Sequence, residues 1–445
     1  MTTSPTTTLI PPDLTWFNNA KFGIFIHWGI YSVGQYPESW SFYNHGAKGQ
    51  DPSDSLSFED YMAQRHAFLT RRYDPAAWAA LFAEAGARYA VLTTKHHDGM
   101  ALWDTAEHLS VVRDTPAARD LVGPFCEAMR AQNIHAGLYY SHLDWTHPDY
   151  PSLCHAEGIV TDHPGYARSY TLDKDDPVRW ENFLRFHRLQ LRELCERYSP
   201  DLLWFDGDWE RTPAKWRFEE LNQLLRTWRP GVVINSRIGT FGDYATPEQG
   251  IPTTPPIGPW ELCYTMNRTW AMATDPSYKT SAELIRLLIE CVGMGGNLLL
   301  NISPLGDGTI FYEQARILRE IGAWLRPHAK AIYDTQAGLP HGYFYGPSTL
   351  SADRKTLYLF QLEHPSNEVS VKGIHNRILS ITLLNGDGTQ IPHRVSGGAS
   401  WAGVPGVVWL DLKNIAPTPH ATVIKLELDG PLSLYTGHGQ VITQN

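Results

Sequence analysis

The sequence predicts an α/β fold: an irregular (β/α)8-like, TIM-type barrel followed by a C-terminal β-sandwich. Three observations predict it. Between Phe22 and Arg326, short apolar runs alternate with longer amphipathic stretches, which is the pattern of successive βα units. Beyond Pro327 the apolar period drops to two and turn residues recur at short intervals, as in a sandwich. A chain of 445 residues also exceeds one ordinary domain, so a barrel with a smaller module accounts for the length.

The barrel strands are expected at Phe22–Trp28, Tyr89–Lys95, His135–Ser141, Leu202–Asp206, Val232–Arg237, Glu261–Met266 and Asn297–Ser303. Their continuous apolar character suits strands covered on both faces. Helices are expected between them. Asp74 and Pro75 open one that Gly86 ends, with a capping acid, a first-turn proline and a terminating glycine. Val178–Tyr198, Trp216–Trp228 and Ser281–Val292 carry apolar residues at helical spacing. Seven strands are one short of eight, and Gly239–Pro259, full of Pro, Gly and Thr, reads as an extended loop and not as the missing unit. In the sandwich, strands are expected at Thr356–Leu362, Glu368–Val371, Ile378–Leu384, Val407–Leu412 and Thr422–Leu428, with a turn at Asn385-Gly386-Asp387-Gly388. Residues 1–335 are assigned to the catalytic barrel and 345–445 to the sandwich, with the boundary between Ile332 and Tyr345.

The formal charge of -10 and the absence of a basic run argue against a nucleic-acid partner. No apolar segment is long enough to span a bilayer, and residues Met1 to Pro12 lack the basic start and apolar core of a signal peptide. Five cysteines, Cys126, Cys154, Cys195, Cys263 and Cys291, are widely spread without metal-ligand spacing, which fits a reducing, cytoplasmic setting. Assembly into a homo-oligomer is left open. Aromatic residues make up 12% of the chain, and flat aromatic faces suit the C–H faces of sugars as well as cores.

The most informative run is Leu202-Leu203-Trp204-Phe205-Asp206-Gly207-Asp208-Trp209, a buried strand that delivers a carboxylate. A barrel gathers its chemistry at the carboxyl ends of its strands. Those ends are polar here: His27 after the first strand, His96-His97-Asp98 after the second, Ser141-His142 after the third, with Tyr140 beside them, and Arg237 after the fifth. Two chemistries could use this set. A metal hydrolase would draw ligands from His27, His96, His97, His142 and Asp206, but adjacent histidines on one strand point to opposite faces unless the strand ends between them. A glycoside hydrolase would use Asp206 as nucleophile and a second carboxylate, Glu248 or Glu261, as acid, with no metal or organic cofactor. The residues alone do not choose between the two glutamates. Asp208 is the rival inside the motif, and Gly207 allows a turn that points it away.

The segments FGIFIHWGIYSV (22–33), TTKHHDGMALWDT (93–105), YYSHLDW (139–145), LWFDGDWE (203–210) and GGNLLLNISPLGDG (295–308) closely resemble the retaining α-L-fucosidases of glycoside hydrolase family 29. They occur in the family's order. The resemblance implies a barrel followed by a β-sandwich, a fucosylated oligosaccharide or glycoconjugate as substrate, Asp206 as nucleophile, and His27, His96 and His97 on the fucose hydroxyls. It favours Glu248, in the TPEQ segment, over Glu261 as acid/base. Glu261 is then a supporting acid at the mouth. Phe25, Trp204, Trp209 and Trp270 are candidates for the apolar wall that the sugar's methyl group needs.

Two stretches depart from the family. Glu38-Ser39-Trp40-Ser41 stands where many relatives have Glu-Trp-Tyr, which puts a Glu38 contact in doubt while Trp40 still aligns. Thr269-Trp270-Ala271-Met272 stands where relatives often show Ser-Trp-Gly-Tyr, so linkage preference does not carry over. A fucose-binding relative without catalysis is the competing reading within the family.

Overall fold

The computed structural model describes residues 11–43, 55–150, 176–272, 277–362, 367–384, 388–416 and 420–437. Cys154, the Asn385-Gly386-Asp387 turn and residues 1–10 lie outside them.

Seven parallel strands form the first sheet: β1 (Phe22–Ile26), β2 (Tyr89–Lys95), β3 (His135–Ser141), β4 (Leu202–Asp206), β5 (Val233–Ile234), β6 (Glu261–Thr265) and β7 (Asn297–Ile302). Their order is β5-β4-β3-β2-β1-β7-β6, a curled sheet with β5 and β6 as its end strands. The helices that cover it begin where capping chemistry allows. Asp74 accepts from the Ala77 amide, Pro75 occupies the first turn, and Gly86 closes the helix Pro75–Ala85 in the left-handed region at φ +86°. Asp176 likewise accepts from the amides of Val178 and Arg179 to start the helix Pro177–Tyr198.

The fifth strand is much shorter than the sequence predicts. Asn235 explains this: its side chain accepts from the Phe205 amide at 2.8 Å and donates to the Phe205 carbonyl at 2.8 Å. A side-chain amide thus satisfies the backbone of β4, and the main chain is free to leave the sheet toward Arg237. No helix or strand falls within Gly239–Pro259, as the loop reading expects, but the loop is bonded to both neighbouring strands. Residues 243–249 run between β5 and β6 as an irregular substitute for the missing strand. Asp243 donates to the Ile234 carbonyl on one side, while Ala245, Pro247 and Gln249 exchange backbone bonds with Pro259, Glu261 and Cys263 on the other. Pro247 can only accept, so a regular ladder cannot form here. This bridging segment carries Glu248.

The remaining strands are β8 (Thr335–Ala337), β9 (Ser348–Ser351), β10 (Thr356–Gln361), β11 (Glu368–Val371), β12 (Ile378–Leu383), β13 (His393–Ser396), β14 (Val407–Asp411) and β15 (Thr422–Leu428). They form two antiparallel sheets, β12-β15-β10-β9-β8 and β11-β14-β13. β8, β9 and β13 are missing from the sequence reading. Two are three to four residues long with little apolar alternation, and β13 is exposed at all four positions.

Period two places the larger of these sheets between two cores. On β10, Leu357 and Leu359 face the interior of the sandwich, while Tyr358 and Phe360 join the core of the barrel. On β15, Ile424 and Leu426 face the sandwich and Val423 faces the barrel. The sandwich therefore shares apolar surface with the barrel, reinforced by the Thr349 hydroxyl donating to the Ala331 carbonyl at 2.6 Å. Phe360 is fully buried at this junction. Phe360→Ala should cost about 3–5 kcal/mol, read as a lower denaturation midpoint, and a surface-like loss below 1 kcal/mol would show that the junction carries little of the stability.

Candidate active site

A cavity of about 380 Å³ opens at the carboxyl ends of the barrel strands, lined by Phe25, His27, Glu38, Trp40, His96, His97, Tyr139, Trp204, Asp206, Trp209, Arg237, Glu248 and Trp270, among others. That is large enough for one sugar unit with its neighbour at the rim. Asp206 ends β4 and Gly207 turns the chain sharply at φ +83°, where an added Cβ would meet Leu143 at 2.5 Å. The turn leaves Asp206 on the cavity, and Asp208 is not among the lining residues.

Asp206 is held on both oxygens. Oδ1 accepts from Arg237 Nη1 at 2.5 Å and Oδ2 from the Tyr139 hydroxyl at 2.8 Å. Burial pushes its carboxyl up, but the Arg237 charge and these two bonds outweigh it and hold the group below the usual aspartate range. It is therefore an anion at neutral pH. The other arm of the same guanidinium, Nη2, lies 2.5 Å from Glu248 Oε2. One cation thus spans both carboxylates, with its face 4.6 Å above the Trp204 ring.

Three histidines also line the cavity, each fixed through Nδ1. His27 pairs with Asn301 Oδ1 at 2.7 Å, His96 with Ser39 Oγ at 2.7 Å and His97 with Ser141 Oγ at 2.6 Å. Burial depresses all three, His27 to about 4, so they are neutral hydrogen-bonding groups. His96 and His97 both face the cavity because β2 ends at Lys95, after a register shift between Thr93 and Lys95. The strand alternation that would have separated them no longer applies.

The structure corrects two expected substrate contacts. Tyr140 points away from the cavity and donates to Gln190 at 2.9 Å beneath a covering helix. On β3 the alternation selects Tyr139 instead. Glu261 opens β6, far from its carboxyl end, and is fully buried under the cavity floor. It accepts from the Tyr89 hydroxyl at 2.5 Å and from Trp204 Nε1 at 3.0 Å, and burial raises its carboxyl to about 7. It does not line the cavity, so it supports Trp204 from below. His142 also lies outside, with Nε2 on the Arg237 carbonyl at 3.0 Å.

Glu38, placed in doubt by the sequence, does line the cavity beside Trp40. It accepts from the Ala271 amide, and burial raises its carboxyl to about 7. Sequence reasoning missed Tyr139, Ser39 and Asn301. A signal existed for Asn301, a polar residue inside the apolar run of β7. None existed for Ser39, whose role depends on a distant histidine. Among the described residues, no group of three or more His, Cys, Asp or Glu side chains is placed to hold a metal ion.

A barrel whose mouth gathers two carboxylates on one arginine, walled by histidines and aromatic rings, defines a glycoside hydrolase. Comparison with known proteins gives the family. A profile of the α-L-fucosidase family matches residues 7–330. The tissue α-L-fucosidase of Mus musculus is 34% identical over 347 residues, covering 72% of each chain, and that of Homo sapiens is 32% identical, covering 72% of this chain and 69% of its own. Among solved structures, α-L-fucosidase isoenzyme 1 from Paenibacillus thiaminolyticus aligns with TM-score 0.80 at 32% identity, covering 94% of this chain and 98% of that one. A family 29 α-L-fucosidase from Bacteroides thetaiotaomicron, trapped as a covalent intermediate with 2-fluoro-fucosyl fluoride, aligns with TM-score 0.79 at 26% identity, covering 94% and 96%. The chain belongs to the α-L-fucosidases of glycoside hydrolase family 29.

Two buried acids raised to about 7 set a stability trend. Each binds its proton more tightly when folded, so its stabilisation is complete below about 4.5 and is lost as pH rises through 7. Urea unfolding should give lower stability at pH 8 than at pH 5. Glu261→Gln, which keeps a neutral partner for Tyr89 and Trp204, should flatten part of that slope; an unchanged slope would show that Glu261 is not the titrating group.

Proposed function

We propose that this α-L-fucosidase removes terminal α-L-fucosyl residues from oligosaccharides or glycoconjugates by double displacement with retention of configuration. Asp206 is the nucleophile and Glu248 the acid/base. The observation that carries this reading is the single Arg237 guanidinium contacting Asp206 through one nitrogen and Glu248 through the other. A shared guanidinium draws the two carboxylates together, which supports the close pairing that retention uses, ~5 to 5.5 Å in retaining enzymes.

In the first step an Asp206 oxygen bonds to the anomeric carbon as the bond to the aglycone oxygen breaks, and the Glu248 proton passes to that leaving oxygen. In the second step Glu248, now a carboxylate, takes a proton from water. The water oxygen bonds to the anomeric carbon and the Asp206 ester bond breaks, releasing fucose. The covalent intermediate named for the Bacteroides thetaiotaomicron enzyme supports such a two-step course. His27, His96 and His97 bind hydroxyls through the nitrogens not already engaged, Glu38 and Trp40 close the same side, and Phe25, Trp204 and Trp270 supply the apolar wall for the methyl group. Trp209, stacked at 18° on Trp40 with centroids 6.3 Å apart, faces the next sugar.

Four described cysteines, Cys126, Cys195, Cys263 and Cys291, are buried free thiols, which supports placing the enzyme in a reducing cytoplasm. Cell fractionation tests this, and recovery of the protein outside the cytoplasm overturns it.

Azide rescue tests the two assignments. Asp206→Ala should fall to background on an aryl α-L-fucoside and, with azide, form the β-fucosyl azide. Glu248→Ala should lose about 10²–10⁴ in kcat on poor leaving groups and form the α-azide. Absence of azide product from both variants rejects the assignment.

A further inference from the structure

Behind the pocket, four residues form a hydrogen-bond chain that ends on the arginine bridging the two carboxylates. Arg188 Nη1 lies 3.2 Å from His187 Nδ1, His187 Nε2 lies 3.0 Å from His142 Nδ1, and His142 Nε2 lies 3.0 Å from the Arg237 carbonyl. Arg188 and His187 belong to the helix Pro177–Tyr198, while His142 follows β3 and Arg237 follows β5. The chain therefore ties three elements together.

Its direction follows from its ends. A guanidinium can only donate and a carbonyl can only accept. The proton between His142 and Arg237 must sit on His142 Nε2, which leaves a neutral His142 with a bare Nδ1. His187 Nε2–H donates to that atom, and the bare His187 Nδ1 accepts from Arg188. Every link has one donor and one acceptor only when both rings are neutral Nε2–H tautomers. A proton added to either histidine, or a change of tautomer in one, sets two donors against each other.

The surroundings favour the neutral state. Both histidines are fully buried, and burial depresses His142 to about 3 and His187 well below its ordinary value. Arg188 and Lys95 oppose a further positive charge on His142, while Asp206 favours one. The His142 ring lies flat against Phe205, 4.7 Å away at 10°, and Arg188 is anchored by the Trp216 carbonyl at 2.5 Å.

We propose that His142 and His187 are positioning residues of this glycosidase: through the Arg188–His187–His142 chain they hold the Arg237 main chain where its guanidinium spans Asp206 and Glu248. The need for this is local. Because β5 ends at Ile234, Arg237 lies beyond the sheet's ladder and its backbone must be fixed by other means. The catalytic meaning rests on the roles proposed for Asp206 and Glu248, whereas the direction of the chain does not.

Long-range 1H–15N correlation on the intact protein, with the two histidines assigned from H142Q and H187Q, should show both as Nε2–H tautomers at neutral pH. An Nδ1–H tautomer or an imidazolium at either position overturns the proposal. In kinetics, His142→Leu removes the donor to Arg237. With Arg237 displaced, Asp206 loses part of what holds its carboxyl down, so the acidic limb of kcat/KM should move to higher pH, with kcat lower by about 10- to 100-fold. His142→Gln, whose amide can donate to the same carbonyl, should restore both. A folded His142→Leu enzyme with the original limb and kcat overturns the proposal, and if that variant does not fold the tautomers decide. A failure of the nucleophile assignment would appear instead in the azide experiment, with the tautomers as stated.

Discussion

The site depends on one cation serving two carboxylates, Asp206 in a largely buried position and Glu248 at the more open rim. Asp206 and Arg237 have side chains only 12% and 18% exposed, so neither could be buried with its charge uncompensated. Pairing removes that cost and sets geometry as well, because a guanidinium presents its donors in a fixed planar fork. Once Arg237 is in place, the positions of Asp206 and Glu248 relative to each other follow.

The layers below exist to keep that arginine still. Trp204 lies under the guanidinium, and its indole N–H is fixed by Glu261. Burial raises the Glu261 carboxyl to about 7, and Tyr89 and Trp204 satisfy its oxygens. A buried, hydrogen-bonded acid of this kind fixes the orientation of its partners. Two glutamates close in sequence thus occupy different surroundings. Glu248 rides on the bridging segment at the mouth, and Glu261 starts a strand at the opposite end of the barrel.

The arrangement explains the irregular sheet. A full fifth strand would keep Arg237 in the ladder, and a regular strand between β5 and β6 would have no place for Pro247. Asn235 and Pro247 relax the barrel where Arg237 and Glu248 must reach over its opening, and their backbone groups are satisfied by side-chain and single-bridge hydrogen bonds. Irregularity next to a site is how a repetitive fold accommodates chemistry. The sandwich meets the barrel by packing, through Tyr358, Phe360 and Val423.

By itself the sequence determined the parts that obey a period or a motif. Continuous apolar runs marked the barrel strands, alternation marked the main sandwich strands, and the strand-end polar residues with the family segments marked Asp206, the three histidines and Trp40. These are local signals, set by backbone geometry over a few residues. Only the tertiary structure decided which face a residue serves: Tyr139 and not Tyr140 lines the cavity, Glu261 is buried beneath it, and the shifted Glu38 still reaches it. Those choices depend on where a strand ends and on partners up to hundreds of positions away, such as Asn301 for His27, and no local pattern carries that information.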